Sequence, residues 1–124
     1  MTQAILLFAH VSRDATWRSS FEAILDEVKA RHHGPVSLAF LEYMTPDFAT
    51  AVTALVGQGA SHIRLVPLFL AAGGHVRSCL PALVNQAQAD HPGLQFSVLP
   101  PLGDSATLVR AFADFAVQPL SSQV

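Results

Sequence analysis

VPLFLAAGGHVR, residues 66–77, decides how the rest of the chain is read. Val66, Leu68, Phe69 and Leu70 suit the interior of a sheet. Ala71, Ala72, Gly73 and Gly74 then strip the backbone of side chains, and His75 and Arg77 follow at once. Beyond them Val76, Leu80, Leu83, Val84 and Ala87 fall on one helical face. The stretch is therefore a strand that passes through a bare turn into a helix and presents an imidazole where the helix begins.

The same alternation extends in both directions. Apolar runs recur about every 30 residues: AILLF from Ala4, VSLAFL from Val36, IRLVPLFL from Ile63 and LQFSVL from Leu94. Helical spacing fills the gaps. Trp17, Phe21, Ile24, Leu25 and Val28 share a face, as do Phe48, Val52, Leu55 and Val56, and finally Leu108, Phe112 and Phe115. Thr45-Pro46 reads as an N-cap with proline at the first helical position, and Gly57 or Gly59 can end that helix. Gly103-Asp104-Ser105 offers the start of the last one.

Strand and helix alternating four times predicts βαβ units around a parallel sheet, and near-continuous apolar strands predict cover on both of its faces. With right-handed crossovers the expected fold is an α/β three-layer sandwich whose four strands run in the order 2-1-3-4. No linker divides residues 1–124, so a single domain is expected, with a flexible tail from about residue 119.

Composition narrows the function. A formal charge of −2 with only seven Lys and Arg gives no basic stripe for nucleic acid. No apolar run is long enough for a membrane span, and MTQAILLFAH lacks the basic start and cleavage site of a signal peptide. The lone Cys79 cannot form an internal disulfide and fits a reducing cytoplasm. Neither GxGxxG nor GxxxxGK[ST] occurs, so no nucleotide cofactor is expected.

Six histidines in so short a chain direct attention to metals. In a parallel sheet the strand C-terminal ends share one edge, and ligands bind there where strand order reverses. His10 is expected just past strand 1, Glu42 just past strand 2, and His75 beyond strand 3. Singly, each has an ordinary reading as a loop residue, a solvated carboxylate or a hydrogen-bonded imidazole. Together, two imidazoles and a carboxylate suit a borderline divalent ion such as Co²⁺, Ni²⁺, Fe²⁺ or Zn²⁺. His32 and His33 follow the first helix, where a cation suits the dipole. His62 and His91 belong to the opposite edge, and Cys79 is expected to pack.

FAHVSRD, FLEYMTPDF and above all VPLFLAAGGHVRSCLP resemble the short-form sirohydrochlorin chelatases, CbiX-type class II chelatases of cobalamin and sirohaem synthesis. The likeness covers nearly the whole chain in order. It implies a chelatase-like sandwich, a homodimer, and ATP-independent insertion of Co²⁺, or of Fe²⁺ or Ni²⁺, into a sirohydrochlorin-type tetrapyrrole. It further implies that His10 and His75 bind the metal, with Glu42 assisting. Arg13 and Arg77 near the same edge could grip substrate carboxylates, or could form local ion pairs. Gly73 and Gly74 would leave a flat macrocycle an unobstructed wall.

Two departures from the family pattern stand out. Val11 replaces the glycine of His-Gly-Ser-Arg-Asp, and Ser78-Cys79 stand where acidic residues usually follow the second histidine. They keep open a non-catalytic metal- or tetrapyrrole-binding paralogue on the same scaffold. An interaction module with incidental histidines is the remaining alternative.

Overall fold

The computed structural model describes residues 2–11, 15–42, 47–71 and 73–119; at residues 2, 10, 11, 15–17, 42 and 74–78 the description is of the backbone. The expected tail lies, from residue 120, outside the described residues, as do Arg13, Thr45 and Pro46. The chain runs β1 (Thr2–Val11), α1 (Ala15–Arg31), β2 (Val36–Glu42), α2 (Phe48–Gly57), β3 (Ala60–Pro67), α3 (Gly74–Asp90) and β4 (Gln95–Val98). A single 3₁₀ turn (Leu102–Asp104) and α4 (Ala106–Val117) complete it.

All strand pairings are parallel and the order is β2-β1-β3-β4, as the alternation predicted. Side chains alternate across the strands, so each face has its own core. On one face Leu6, Phe8, Ile63 and Leu65 pack with Phe48, Val52 and Leu55 of α2 and Ala87 of α3. Phe48 meets Phe8 edge-on at 5.4 Å between ring centroids and stacks on Phe96 at 6.1 Å. On the other face Leu7, Ala9, Leu38 and Phe40 pack under Phe21, Leu25 and Val28 of α1. The Phe40 ring is fully buried, with Phe21 edge-on and the Arg18 guanidinium 5.5 Å from its centroid.

Local chemistry sets the helix ends. The cap of α2 is Asp47, one residue beyond Thr45-Pro46: its carboxylate accepts the Thr50 N–H at 2.9 Å, and the helix starts at Phe48. That bond holds the Asp47 carboxyl below the usual carboxylate range. Gly57 is the last helical residue, and Gly59 reverses the chain at φ +97°, a conformation that favours glycine. Ser105 caps α4 by accepting the Leu108 N–H, as its position before the helix suggested.

Two expectations are corrected. The run 63–70 is not one strand: β3 starts earlier, at Ala60, and stops at Pro67. Proline has no N–H to extend the ladder. The second correction concerns α4. Its apolar stripe was expected to face a core, yet Val109 and Phe112 are about half exposed (50% and 51%), Phe115 74% and Val117 80%. The helix packs chiefly on the 3₁₀ turn that precedes it. Fully burying one such side chain is worth about 1.5–3 kcal/mol, so this helix leaves substantial stabilisation unused within its own chain.

Candidate metal centre at the sheet edge

The fold brings the three sequence-predicted ligand positions to the C-terminal edge of the sheet. His10 is the penultimate residue of β1 and Glu42 the last of β2, so both sit at strand ends rather than just past them. Val11 and Glu42 are register partners, which places positions 10 and 42 in neighbouring rows. His75 is the second residue of α3, beyond the connection that leaves β3 at Pro67. With β1 next to β3, positions 10 and 75 flank the reversal of strand order.

The connection from β3 to α3 is tied down on two sides. Leu68 N–H donates to the Phe8 carbonyl at 2.8 Å, which fastens it to β1. The Phe69 and Leu70 carbonyls accept the N–H groups of Leu102 and Gly103, at 3.0 and 2.7 Å, which fastens it to the turn after β4. Gly103 serves this contact as well as the start of α4, a role the sequence reading missed. A Cβ there would lie 2.5 Å from the Leu70 oxygen. The two loops that meet behind the α3 N-terminus are thus held by main-chain bonds.

Gly73 is the N-cap of α3, at φ −72° and ψ 170°, a conformation open to any residue. A Cβ added to it would meet nothing within 4 Å. Among the described residues, neither backbone strain nor packing calls for glycine at 73, and no side chain caps the helix. A tight turn is not the reason for this residue. Gly74 opens α3, and Arg77 lies in its first turn. Cys79 is half-buried.

Three of the histidines away from the edge have structural partners. His62, near the start of β3, shares a 2.7 Å hydrogen bond with the Ser97 hydroxyl and so links β3 to β4. His32 donates from Nε2 to the Gln3 carbonyl at 3.0 Å, and His91 lies 3.4 Å from the Thr53 hydroxyl. Among the described residues no group of three His, Cys, Asp or Glu could hold a metal, and no helix is long and apolar enough to cross a membrane. The side chains of His10, Glu42 and His75 lie outside that description.

Comparison with known proteins agrees with this fold. The CbiX family profile matches residues 4–118. The chain is 34% identical over 112 residues to the sirohydrochlorin ferrochelatase of Bacillus subtilis (strain 168), covering 90% of this chain and 43% of that protein. It is 30% identical over 117 residues to the sirohydrochlorin cobaltochelatase of Sulfolobus acidocaldarius, covering 94% and 92%. Among solved structures, a CbiX protein from Marinobacter aquaeolei VT8 superposes with a TM-score of 0.81 at 33% identity, over 92% of this chain and 93% of that one. The sirohydrochlorin chelatase SirB from Bacillus subtilis subspecies spizizenii, in complex with cobalt, superposes at 0.80 with 33% identity. It aligns with 94% of this chain but only 50% of its own. The chain thus spans about half the length of the Bacillus proteins and nearly all of the Sulfolobus one.

Proposed function

This chain belongs to the CbiX family, and on that premise we propose that it inserts a divalent metal ion into sirohydrochlorin without ATP or any nucleotide. The observation that carries the reading is topological: positions 10, 42 and 75 converge on one sheet edge at the reversal of strand order. The names of relatives, which include both cobalto- and ferrochelatases, support Co²⁺ and Fe²⁺; Co²⁺ comes first in this reading, and Ni²⁺ is kept on the borderline character of two imidazoles and a carboxylate.

Metal here is substrate. It must be held loosely enough to leave and with coordination positions open to incoming pyrrole nitrogens. In this reading His10 and His75 hold the ion, and Glu42 is a further ligand or orients one imidazole. As the ion enters the macrocycle two pyrrole N–H protons leave. Neutral imidazoles, with an ordinary pKa near 6.5, are suited to accept them. Arg13 and Arg77 grip the substrate's carboxylates. That nothing among the described residues requires glycine at 73 supports a flat ligand passing close to the α3 N-terminus, with Gly74 extending that bare wall.

We place the reaction in the cytoplasm, in keeping with the lone cysteine, and assign it to paired copies of the chain. The test is anaerobic turnover of sirohydrochlorin with Co²⁺, Fe²⁺ and Ni²⁺, followed by the macrocycle's absorption. Insertion well above the spontaneous rate, lost in His10→Ala and His75→Ala, is the expected result. Stoichiometric binding of metal or tetrapyrrole at the protein-free rate would instead identify a carrier, and would trace the loss to Val11 and Ser78-Cys79.

A further inference from the structure

We propose that Leu70, held against the turn that follows β4, is the apolar seat on which the tetrapyrrole ring rests. The inference deepens the function proposed above and depends on it: the histidine positions take the metal, and this seat takes the macrocycle.

Outside α4, Leu70 is the most exposed large apolar side chain among the described residues, at 66%. A single exposed leucine is ordinary on a protein surface. This one is distinguished by how firmly its backbone is held. Its neighbour Phe69 packs against the core shared by α2 and α3. The Phe69 and Leu70 carbonyls accept the N–H groups of Leu102 and Gly103. Leu70 Cδ1 lies 3.7 Å from the point where a Cβ at 103 would stand, so the leucine lies over bare backbone.

The turn beneath Leu70 is equally prepared for cover. From Leu99 to Ser105 the main chain leaves no N–H unpaired. Pro100 and Pro101 have none to pair. Leu99 donates to the Leu65 carbonyl, Leu102 and Gly103 to those of Phe69 and Leu70, Asp104 to that of Pro101 and Ser105 to that of Leu102. An exposed loop ordinarily leaves such donors to water, and covering it with an apolar ligand strands them at a cost. Here a ring displaces the water without stranding any. Pro100 is exposed and Pro101 and Leu102 are half-buried, so the turn continues the apolar surface of Leu70.

The seat and the ligand positions divide the sheet edge between them. β1 and β2 end at polar positions, His10 and Glu42, whereas β3 and β4 lead into Leu70 and the Leu99–Leu102 run. Position 75 opens α3 five residues beyond Leu70. A tetrapyrrole has the same division, with an apolar conjugated ring around a centre that takes the metal. Imidazoles at 10 and 75 and guanidinium groups at 13 and 77 serve the ion and the carboxylates; the ring itself requires an apolar partner.

The test separates ring from ion. Leu70→Ser changes an exposed side chain and keeps every main-chain bond, so its melting temperature should match the parent's within about 2 °C. Titrated with metal-free sirohydrochlorin, it is expected to bind roughly tenfold more weakly, with KM raised in step and kcat within about twofold of the parent's. Co²⁺ binding measured without tetrapyrrole should be unchanged. Leu70→Met, which restores an apolar contact of similar volume, should recover most of the affinity. Parental affinity in Leu70→Ser would overturn the seat while leaving the chelatase reading intact. So would a loss that Leu70→Met shares, or an equal loss of Co²⁺ binding, since either traces the effect to the fold. A parent chain that neither binds nor converts sirohydrochlorin would overturn the proposed function and the seat together.

Discussion

Gly103 and Leu70 meet backbone to backbone: the Gly103 N–H donates to the Leu70 carbonyl at 2.7 Å, and a Cβ at 103 would stand 2.5 Å from the same oxygen. Leu70 belongs to the stretch that leads into the α3 N-terminus, and Gly103 to the turn that leads into α4. Gly103→Ala must therefore push the two segments apart. The expected cost is about 1–3 kcal/mol in denaturant unfolding. Metal insertion should fall further than stability alone accounts for, because the displaced segment carries position 75. Wild-type turnover at unchanged stability would show that this contact is slack.

At position 73 the expectation is reversed. Serine caps a helix slightly better than glycine, by a few tenths of a kcal/mol, and among the described residues nothing lies within 4 Å of a Cβ at this position. Gly73→Ser should leave the melting temperature within about 2 °C of the parent and yet lower insertion by roughly tenfold, about 1.4 kcal/mol of transition-state stabilisation. A fully active Gly73→Ser protein would remove the argument for an obligatory bare wall.

The Asp47 cap gives a pH dependence with a definite sign. Its folded-state pKa is lowered from 3.8 by the Thr50 N–H. Its contribution is thus present above the unfolded value and is lost as the pH falls through the folded one. Asp47→Ala should cost about 1 kcal/mol at pH 7, and the difference from the parent should shrink below pH 4. Asp47→Asn, a cap of comparable quality, should retain most of the stability while flattening that acid-side decline. Chemical denaturation across pH 3–7 measures both; an unchanged acid limb in Asp47→Asn would assign the decline to other carboxylates.

The His62–Ser97 bond provides the control. It joins the start of β3 to β4, and His62 lies toward the sheet edge opposite position 10. Ser97→Ala should cost about 0.5–1.5 kcal/mol and leave metal preference and turnover at the parent's values. A change in metal preference would mean that this histidine takes part in handling the ion.

The fold was legible because its signals are local and repeat. Apolar runs and helical spacings gave the element order, and the crossover rule turned that order into β2-β1-β3-β4. The edge positions of His10, Glu42 and His75 followed from the same rule. Thr45-Pro46 was read as the cap because its composition is as suitable as that of Asp47; only the Thr50 N–H distinguishes them. The His62–Ser97 pair depends on the β3–β4 register, which no single strand encodes. Leu108, Phe112 and Phe115 announced an apolar face correctly, but periodicity says that a face seeks cover and not which molecule supplies it.

The early end of β3 gives the crevice its shape. β1 last pairs with β3 at Phe8–Pro67, and among the described strands it then runs on through Val11 beside β2. At about 3.3 Å per residue, the sheet edge rises as a terrace two strands wide and roughly 10 Å high. The Phe8 carbonyl points across to Leu68, so two residues on the main chain of His10 points over the same drop. A visitor to this ledge meets an amide and a carbonyl as well as whatever side chain stands at position 10. Removing the imidazole leaves that peptide footing in place, so His10→Ala should still retain some tetrapyrrole even where it no longer delivers an ion.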